Sequence, residues 1–124
     1  MKTLLLAAIV GLTTVSSVAL AEIKVGIILG FTGPIETLTP AMRDSAKLAF
    51  AEVSASGALL GGETITPLIG DSTCVDSDAA VAAAELIVSD GAVAIMGADC
   101  SGVTGAIATN VAVPNGVTLS LIHI

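Results

Sequence analysis

The stretch GADCSGVTG, residues 97–105, contains the residue types best suited to chemistry in this sequence. It follows an apolar segment, and Ser101 stands where a helix is predicted to begin. The first N–H groups of a helix have no partner within it, and the helix dipole favours a negative charge there. The pattern therefore indicates a site for a carboxylate or a phosphate, with the Ser101 hydroxyl as one more donor. A serine here can equally be a simple N-cap, and the spacing leaves both interpretations open.

An acidic residue, Asp99, precedes this site and would repel an anion bound there. Its carboxylate can pair with an ammonium group of a ligand or point into water, and we expect it to face solvent. A catalytic interpretation takes Cys100 or Ser101 as a nucleophile, but GADCSG does not match the pattern G-x-S-x-G. A nucleophile also needs a base, and the only histidine is His123, near the end of the sequence. We therefore predict that the protein is not an enzyme.

The rest of the sequence has no pattern for a cofactor, a metal ion or nucleic acid. The loop GFTGPIETLTP, residues 30–40, matches neither G-x-x-x-x-G-K-[ST] nor G-x-G-x-x-G, and no group of His, Cys and Asp has metal-ligand spacing. Beyond residue 21, eleven acidic residues stand against three basic ones, a net charge of −8. Such an acidic chain lacks the basic surface that nucleic-acid binding requires.

Strand and helix signals alternate along the chain and predict an α/β fold with a doubly wound parallel sheet. Strands are predicted over residues 23–29, 64–69 and 92–96, and a fourth opens at 117–118. Helices are predicted from Thr39 as N-cap to about 57, from Asp76 or Ser77 to about 90, and over 106–113. Pro67 favours an edge position for the second strand. Ligands of such sheets bind at the carboxyl ends of the strands, here residues 30–39, 71–78 and 97–104.

The N-terminus predicts export from the cytoplasm. Residues 1–21 combine Lys2, an apolar run and the sequence ALA, which is the pattern of a cleaved signal peptide. No cysteine follows the cleavage site, so we expect a periplasmic protein without a lipid anchor. Two cysteines in an exported chain favour a disulfide, although two buried free thiols remain the alternative.

Taken together, these segments resemble the periplasmic leucine/isoleucine/valine-binding protein family, the type I substrate-binding proteins of ABC importers. The matching features are the signal peptide, IKVGIILGFTGP, the helix AMRDSAKLAFAEV, the loop GDSTCVD, and the strand that leads to GADCSGVTG. The resemblance covers residues 22–118. It implies the first part of the N-terminal lobe of a two-lobed protein that holds its ligand in the cleft between the lobes.

The resemblance also implies roles for the loop after the third strand. Cys74 and Cys100 are implied to form a disulfide between the second-strand and third-strand loops. Ser101 is implied to bind the α-carboxylate of the ligand, and Asp99 and Cys100 to line the pocket beside it.

The loop after the first strand is implied to pack over the ligand, with Thr32, Gly33, Pro34 and Leu38 nearest to it. Some members of the family carry an aromatic residue where this chain has Leu38. The resemblance therefore does not imply which ligand side chain this protein prefers.

Residues 119–124, LSLIHI, are expected to derive from a sequencing adapter, because the codons CTG TCT CTT ATA CAC ATC encode this hexapeptide and resemble the transposon end used in tagmentation libraries. A genuine short strand is the alternative. The resemblance implies that the family continues beyond this point with a Ser/Thr-rich loop, a hinge and a second lobe.

The sequence thus predicts a periplasmic solute-binding component of an ABC importer. Its ligand is expected to be a branched-chain amino acid or a related amide, and its partner an inner-membrane permease. Two alternatives remain, an exported α/β hydrolase and the ligand-binding domain of a sensory receptor.

Overall fold

The structure, a computed structural model, describes residues 22–121. The predicted signal peptide, residues 1–21, lies outside this range, as do residues 122–124. None of the helices within it combines the length and the apolar character needed to span a bilayer.

Strands and helices alternate from the first described residue to the last. The order is β1 (Glu22–Leu29), α1 (Thr39–Ser56), β2 (Thr64–Asp71), α2 (Ser77–Ser89), β3 (Ala94–Met96), α3 (Ser101–Ile107), α4 (Val113–Asn115) and β4 (Thr118–Ser120). A π-helical turn, Ala108–Ala112, joins α3 to α4 without a break.

The four strands form one parallel sheet in the order β2-β1-β3-β4. The chain steps from β1 to β2 in one direction, then crosses back over β1 to β3 and continues to β4. The predicted α/β fold with a doubly wound parallel sheet is confirmed. In this topology the loops that follow β1 and β3 diverge, and the crevice between them is the usual ligand site.

Successive residues of a strand point to opposite faces of the sheet, so both faces carry apolar side chains. Helices cover both faces. Ile27 and Leu29 of β1 are fully buried on the side of α1, where Ala46 packs. The intervening Ile28 faces α2 and α3 on the other side. The core on that second side consists of Ile28, Ala80, Ala84, Ile87, Ala92, Ile95, Ala98, Val103, Ile107 and Val111.

The elements differ from the predicted ones mainly at their ends. Pro67 does lie in the edge strand β2, but this strand continues to Asp71, at the binding edge. The third strand is shorter than predicted, and β4 includes positions 119 and 120 of the segment predicted to be foreign. The N-cap of α1 is Leu38 and not the predicted Thr39, which is the first residue of the helix. The Thr39 hydroxyl donates to the carbonyl of Gly30, at 3.0 Å.

The third helix begins at Ser101, where the sequence predicts a helix start, five residues before the stretch 106–113. It continues through α3, the π-helical turn and α4 to Asn115. Pro114 has no N–H to donate to the preceding turn. The π-helical turn lies just before it, and the Asn115 side chain donates to the carbonyl of Val111 at 2.8 Å. The helix then ends at Gly116, with φ 64°.

Candidate functional site

Three loops leave the carboxyl ends of β1, β2 and β3 and meet at one edge of the sheet. Two carboxylates, Asp71 and Asp99, bind these loops to one another. The first helical turns of α1 and α3 flank the crevice where the strand order reverses. This edge is therefore the candidate site.

Asp71, the last residue of β2, holds the loop that follows β1. Its Oδ1 accepts from the N–H groups of Phe31 at 2.9 Å, Thr32 at 3.3 Å and Thr73 at 2.8 Å. Its Oδ2 accepts from the Thr32 hydroxyl at 2.7 Å. Partial burial by itself raises the pKa of Asp71, but the hydrogen bonds from Thr32, Thr73 and Phe31 outweigh it and hold this pKa below its ordinary value.

Asp99 joins all three loops from inside the protein. Its side chain is only 7% exposed, so the expectation that it faces solvent is wrong. Oδ2 accepts from the N–H of Gly30 at 2.7 Å, and Oδ1 accepts from the Ser72 hydroxyl at 3.2 Å. The physical reason is that Gly30 and Ser72 are both buried past the ends of their strands, and their donors need acceptors inside the protein.

A disulfide joins Cys74 to Cys100, with a Cα–Cα distance of 5.2 Å. It links the loop after β2 to the residue directly before α3, and the pair is the one that the resemblance implied. Thr73 and Cys74 adopt φ values of 55° and 70°, which are uncommon for residues other than glycine. Together with the bond from Ser72 to Asp99, the bridge holds these two loops at two neighbouring points.

Two glycines allow the loops to approach this closely. A Cβ at Gly97, where φ is 119°, would lie 1.9 Å from the carbonyl oxygen of Ile28. A Cβ at Gly33, where φ is 96°, would lie 2.4 Å from the carbonyl oxygen of Thr73. Both positions therefore require glycine, and Gly33 contributes to the site through its close packing against the second loop.

Ser101 is the first residue of α3 and is exposed. The N-cap is Cys100, which makes no hydrogen bond to the helix through its side chain. Ser101 is thus not the N-cap of its own helix. Its hydroxyl and the first N–H groups of α3 lie at the crevice, an arrangement that can bind an anionic oxygen.

The loop after β1 presents mostly exposed residues beyond its anchor at Asp71. Thr32, Gly33, Pro34 and Leu38 are all exposed, and Leu38 shows 53% of its surface. Phe31 is half-buried, with the Arg43 guanidinium 5.7 Å from its ring centre, a cation–π distance. The structure therefore brings Thr32 and Gly33 against the second loop, while Pro34 and Leu38 stand farther along.

The site is an open edge, since residues 22–121 enclose no cavity of their own. Within the same range, no three His, Cys, Asp or Glu side chains come together in a way that could hold a metal ion. The described residues therefore cover this edge on one side and leave its other side open.

Sequence reasoning missed the supporting residues of this site. Asp71, Ser72 and Thr39 carry most of its hydrogen bonds but were not predicted as site residues. A signal for Asp71 was present, because it is an acidic residue at the carboxyl end of an apolar strand. Ser72 and Thr39 had no such signal, because their partners lie far away in sequence.

The sequence profile of a family described as "Periplasmic binding protein" matches residues 22–121, the whole described range. This chain belongs to that family. The family consists of substrate-binding proteins rather than enzymes. A search among curated proteins found no match.

Solved structures of the family share the fold of this chain. LivJ from Streptococcus pneumoniae, a branched-chain amino acid transporter substrate-binding protein in complex with isoleucine, is 26% identical, with a TM-score of 0.71. The leucine-binding protein LivK from Thermotoga maritima is 25% identical, with a TM-score of 0.68. A solute-binding protein of an ABC transporter from Rhodopseudomonas palustris, in complex with 3,4-dihydroxybenzoic acid, is 25% identical, with a TM-score of 0.67.

The matches cover 82%, 80% and 81% of this chain but 28%, 27% and 26% of the three structures. The chain therefore spans just over a quarter of the length of these substrate-binding proteins. Their ligands include amino acids and aromatic acids.

Proposed function

We propose that this chain is the beginning of the first lobe of an ABC-importer substrate-binding protein. The ligand is a branched-chain amino acid or a related amide, which the complete protein captures between two lobes and delivers to an inner-membrane permease. The observation that carries the proposal is the exposed start of α3 at Ser101, held at the strand-order reversal opposite the loop after β1. Membership of the periplasmic binding protein family and the likeness to LivJ and LivK support it.

Each side of the crevice has a part in the proposed binding. The Ser101 hydroxyl and the first N–H groups of α3 bind the carboxylate of the ligand. Asp99 and Cys100 stand beside this anchor. The wall of the site is formed by Thr32, Gly33, Pro34 and Leu38. Closure of a second lobe over this edge then removes the ligand from water.

The charges at this edge favour an amino acid over an aromatic acid. Asp71 places a carboxylate among the loops, where it accepts from the exposed Thr32 hydroxyl and has no cationic partner within residues 22–121. A negative potential attracts an ammonium group and disfavours a ligand that carries only a carboxylate. The exposed side chain of Leu38 suits an aliphatic side chain of the ligand.

The proposed location is the periplasm, without a lipid anchor. The disulfide between Cys74 and Cys100 supports it, because such bonds persist in oxidising compartments. The same disulfide argues against Cys100 as the nucleophile of the hydrolase alternative, since a bridged Cys100 has no thiolate.

The test is calorimetric titration of the full-length protein, freed of ligand by unfolding and refolding. Leucine, isoleucine, valine and their amides are compared with 3,4-dihydroxybenzoic acid. We expect Ser101→Ala to weaken the binding of leucine by about tenfold or more, because it removes a hydrogen bond to a charged group.

The matched control is Ser89→Ala, at the opposite end of the molecule, where the hydroxyl donates to the carbonyl of Leu86. It should bind leucine as the unmodified protein does. Tight binding of the benzoic acid together with no binding of any amino acid would contradict the proposed ligand class. Equal affinities for Ser101→Ala and the unmodified protein would contradict the proposed anchor.

A further inference from the structure

The backbone N–H and carbonyl of Gly30 connect the two helices that flank the crevice. Its carbonyl accepts from the hydroxyl of Thr39, the first residue of α1, at 3.0 Å. Its N–H donates to Asp99, two residues before α3, at 2.7 Å. Both bonds are buried. A continuous path of hydrogen bonds therefore runs from the start of α1 through Gly30 to the start of α3.

Gly30 needs this support because the sheet no longer provides it. The β1–β3 ladder ends at the pair of Ile27 and Met96, and the β1–β2 ladder ends at Leu29 and Asp71. Gly30 is the next residue and is buried, so its N–H depends on an acceptor from outside the sheet. Asp99 is that acceptor.

The second oxygen of Asp99 connects the remaining loop. It accepts from the hydroxyl of Ser72, a fully buried residue whose own N–H donates to the carbonyl of Leu29 at 2.9 Å. A single carboxylate thus links the loops after β1, β2 and β3. An aspartate suits this place because two donors converge on it and a carboxylate has two acceptor oxygens.

The disulfide does not make Asp99 redundant. It joins the loop after β2 to the start of α3 through Cys74 and Cys100. It does not reach the loop after β1, whose link to the start of α3 is the bond between Gly30 and Asp99. Loss of the Asp99 side chain should therefore leave the two walls joined only indirectly, through Asp71 and the disulfide, and loosen one wall relative to the other.

We propose that Asp99 is a positioning residue, whose buried carboxylate holds the loop after β1 at a set distance from Ser101 so that both grip one ligand. This inference rests on the proposed function for its consequence in binding. The hydrogen-bond path itself is independent of it. Asp99 acts through Gly30 and Ser72, and its side chain makes no contact with the ligand.

The test compares Asp99→Ala with Asp99→Asn in the full-length protein. Asparagine keeps one oxygen for the N–H of Gly30, and the Ser72 hydroxyl can reverse to accept from the new amide, so the path survives without its charge. We expect Asp99→Ala to bind leucine about tenfold more weakly and Asp99→Asn to stay within about threefold of the unmodified protein. Asp90→Ala, at the other end of the sheet, is the control and should change nothing.

A second measurement, hydrogen exchange of the Gly30 amide in the ligand-free protein, separates this inference from the proposed function. Exchange should speed up in Asp99→Ala and stay slow in Asp99→Asn, whether or not leucine binds. If leucine does not bind the unmodified protein, the proposed ligand fails, and the exchange rates alone decide whether Asp99 holds Gly30.

Two results would overturn the inference. One is Asp99→Ala with unchanged leucine affinity and slow exchange at Gly30. The other is Asp99→Asn that binds as weakly as Asp99→Ala while Gly30 stays protected, since the charge would then contact the ligand directly. Should Asp99→Ala fail to fold, Thr39→Val breaks the path on its other side, and unchanged leucine affinity in that variant would reject the role of Gly30.

Discussion

At the scale of single residues, the candidate site depends on side chains that form hydrogen bonds with other residues of the loops. Asp71 accepts four hydrogen bonds from residues of two loops. Such bonds to a charged acceptor stabilise a protein more than bonds between neutral groups do. The loops are therefore expected to lose stability when this charge is removed.

The lowered pKa of Asp71 predicts a pH-dependent contribution to stability. Because the pKa is lower in the folded than in the unfolded state, the contribution is fully present above the unfolded value of about 4 and is lost as the pH falls through the folded value. We expect Asp71→Asn to lower the free energy of unfolding at pH 7, and the difference from the unmodified protein to shrink towards pH 3. Urea unfolding at both pH values measures it, and a constant difference would contradict the assignment.

Gly97 offers a prediction about close packing. Gly97→Ala combines a strained φ of 119° with a Cβ only 1.9 Å from the carbonyl oxygen of Ile28. We expect a loss of about 3 kcal/mol or more in the free energy of unfolding. Gly105→Ala is the matched control in α3, because a Cβ there has no atom within 4 Å, and it should stabilise the protein by about 0.5–1 kcal/mol. Similar urea midpoints for both variants would show that the loop can yield at Gly97.

At the scale of elements, the crevice is a relation between two helix starts and three loops. Right-handed crossovers place α1 on one face of the sheet and α2 and α3 on the other, so the first turns of α1 and α3 diverge beside β1. The loops connect these turns through Gly30, Asp71 and Asp99. The strands and helices determine where the first turns of α1 and α3 lie, and the contacts between the loops set the width of the crevice.

The disulfide between Cys74 and Cys100 gives a prediction at this scale. It closes a segment with a sequence separation of 26, so removing it should lower the free energy of unfolding by about 3 kcal/mol. We expect the paired substitution of both cysteines by serine, and reduction of the unmodified protein, to give the same loss in urea unfolding. The reducing agent should not affect the double variant. Equal stability with and without the bridge would contradict this expectation.

At the scale of the whole molecule, the described residues form one side of the candidate site. The open edge encloses no cavity within residues 22–121, and the chain spans just over a quarter of the substrate-binding proteins that it resembles. A ligand held here needs a second surface to shield it from water. We propose that a second lobe supplies this surface.

A long sequencing read of the source DNA through the codon of Leu119 tests this proposal. We expect the reading frame to depart from the present sequence near that codon and to continue into a Ser/Thr-rich loop and a second lobe. The reason is that the chain spans just over a quarter of the length of the substrate-binding proteins that it resembles. A stop codon directly after Ile124 in the source DNA would contradict the expectation and leave the two-lobed mechanism without its second half.

The sequence by itself determined the class of the fold and the edge where the candidate site lies. Alternating apolar strands and helices predict a parallel sheet because each pattern has its own periodicity, and Pro67 predicts an edge strand because it lacks a donor. Parallel strands point their carboxyl ends the same way, so the three loops of the candidate site followed from the predicted parallel arrangement. The position of Ser101 next to the crevice was accessible by the same argument.

Only the tertiary structure decided what the polar residues of these loops do. Asp99 looks like a solvent-exposed acid in the sequence, yet it lies buried between Gly30 and Ser72, which are 69 and 27 positions away. Thr39 suits an N-cap, yet its hydroxyl binds a carbonyl across the loop. Periodicity reports which face of an element is apolar, but a hydrogen bond between distant loops depends on how the loops pack. The physical reason is that buried donors must find acceptors wherever the fold places them.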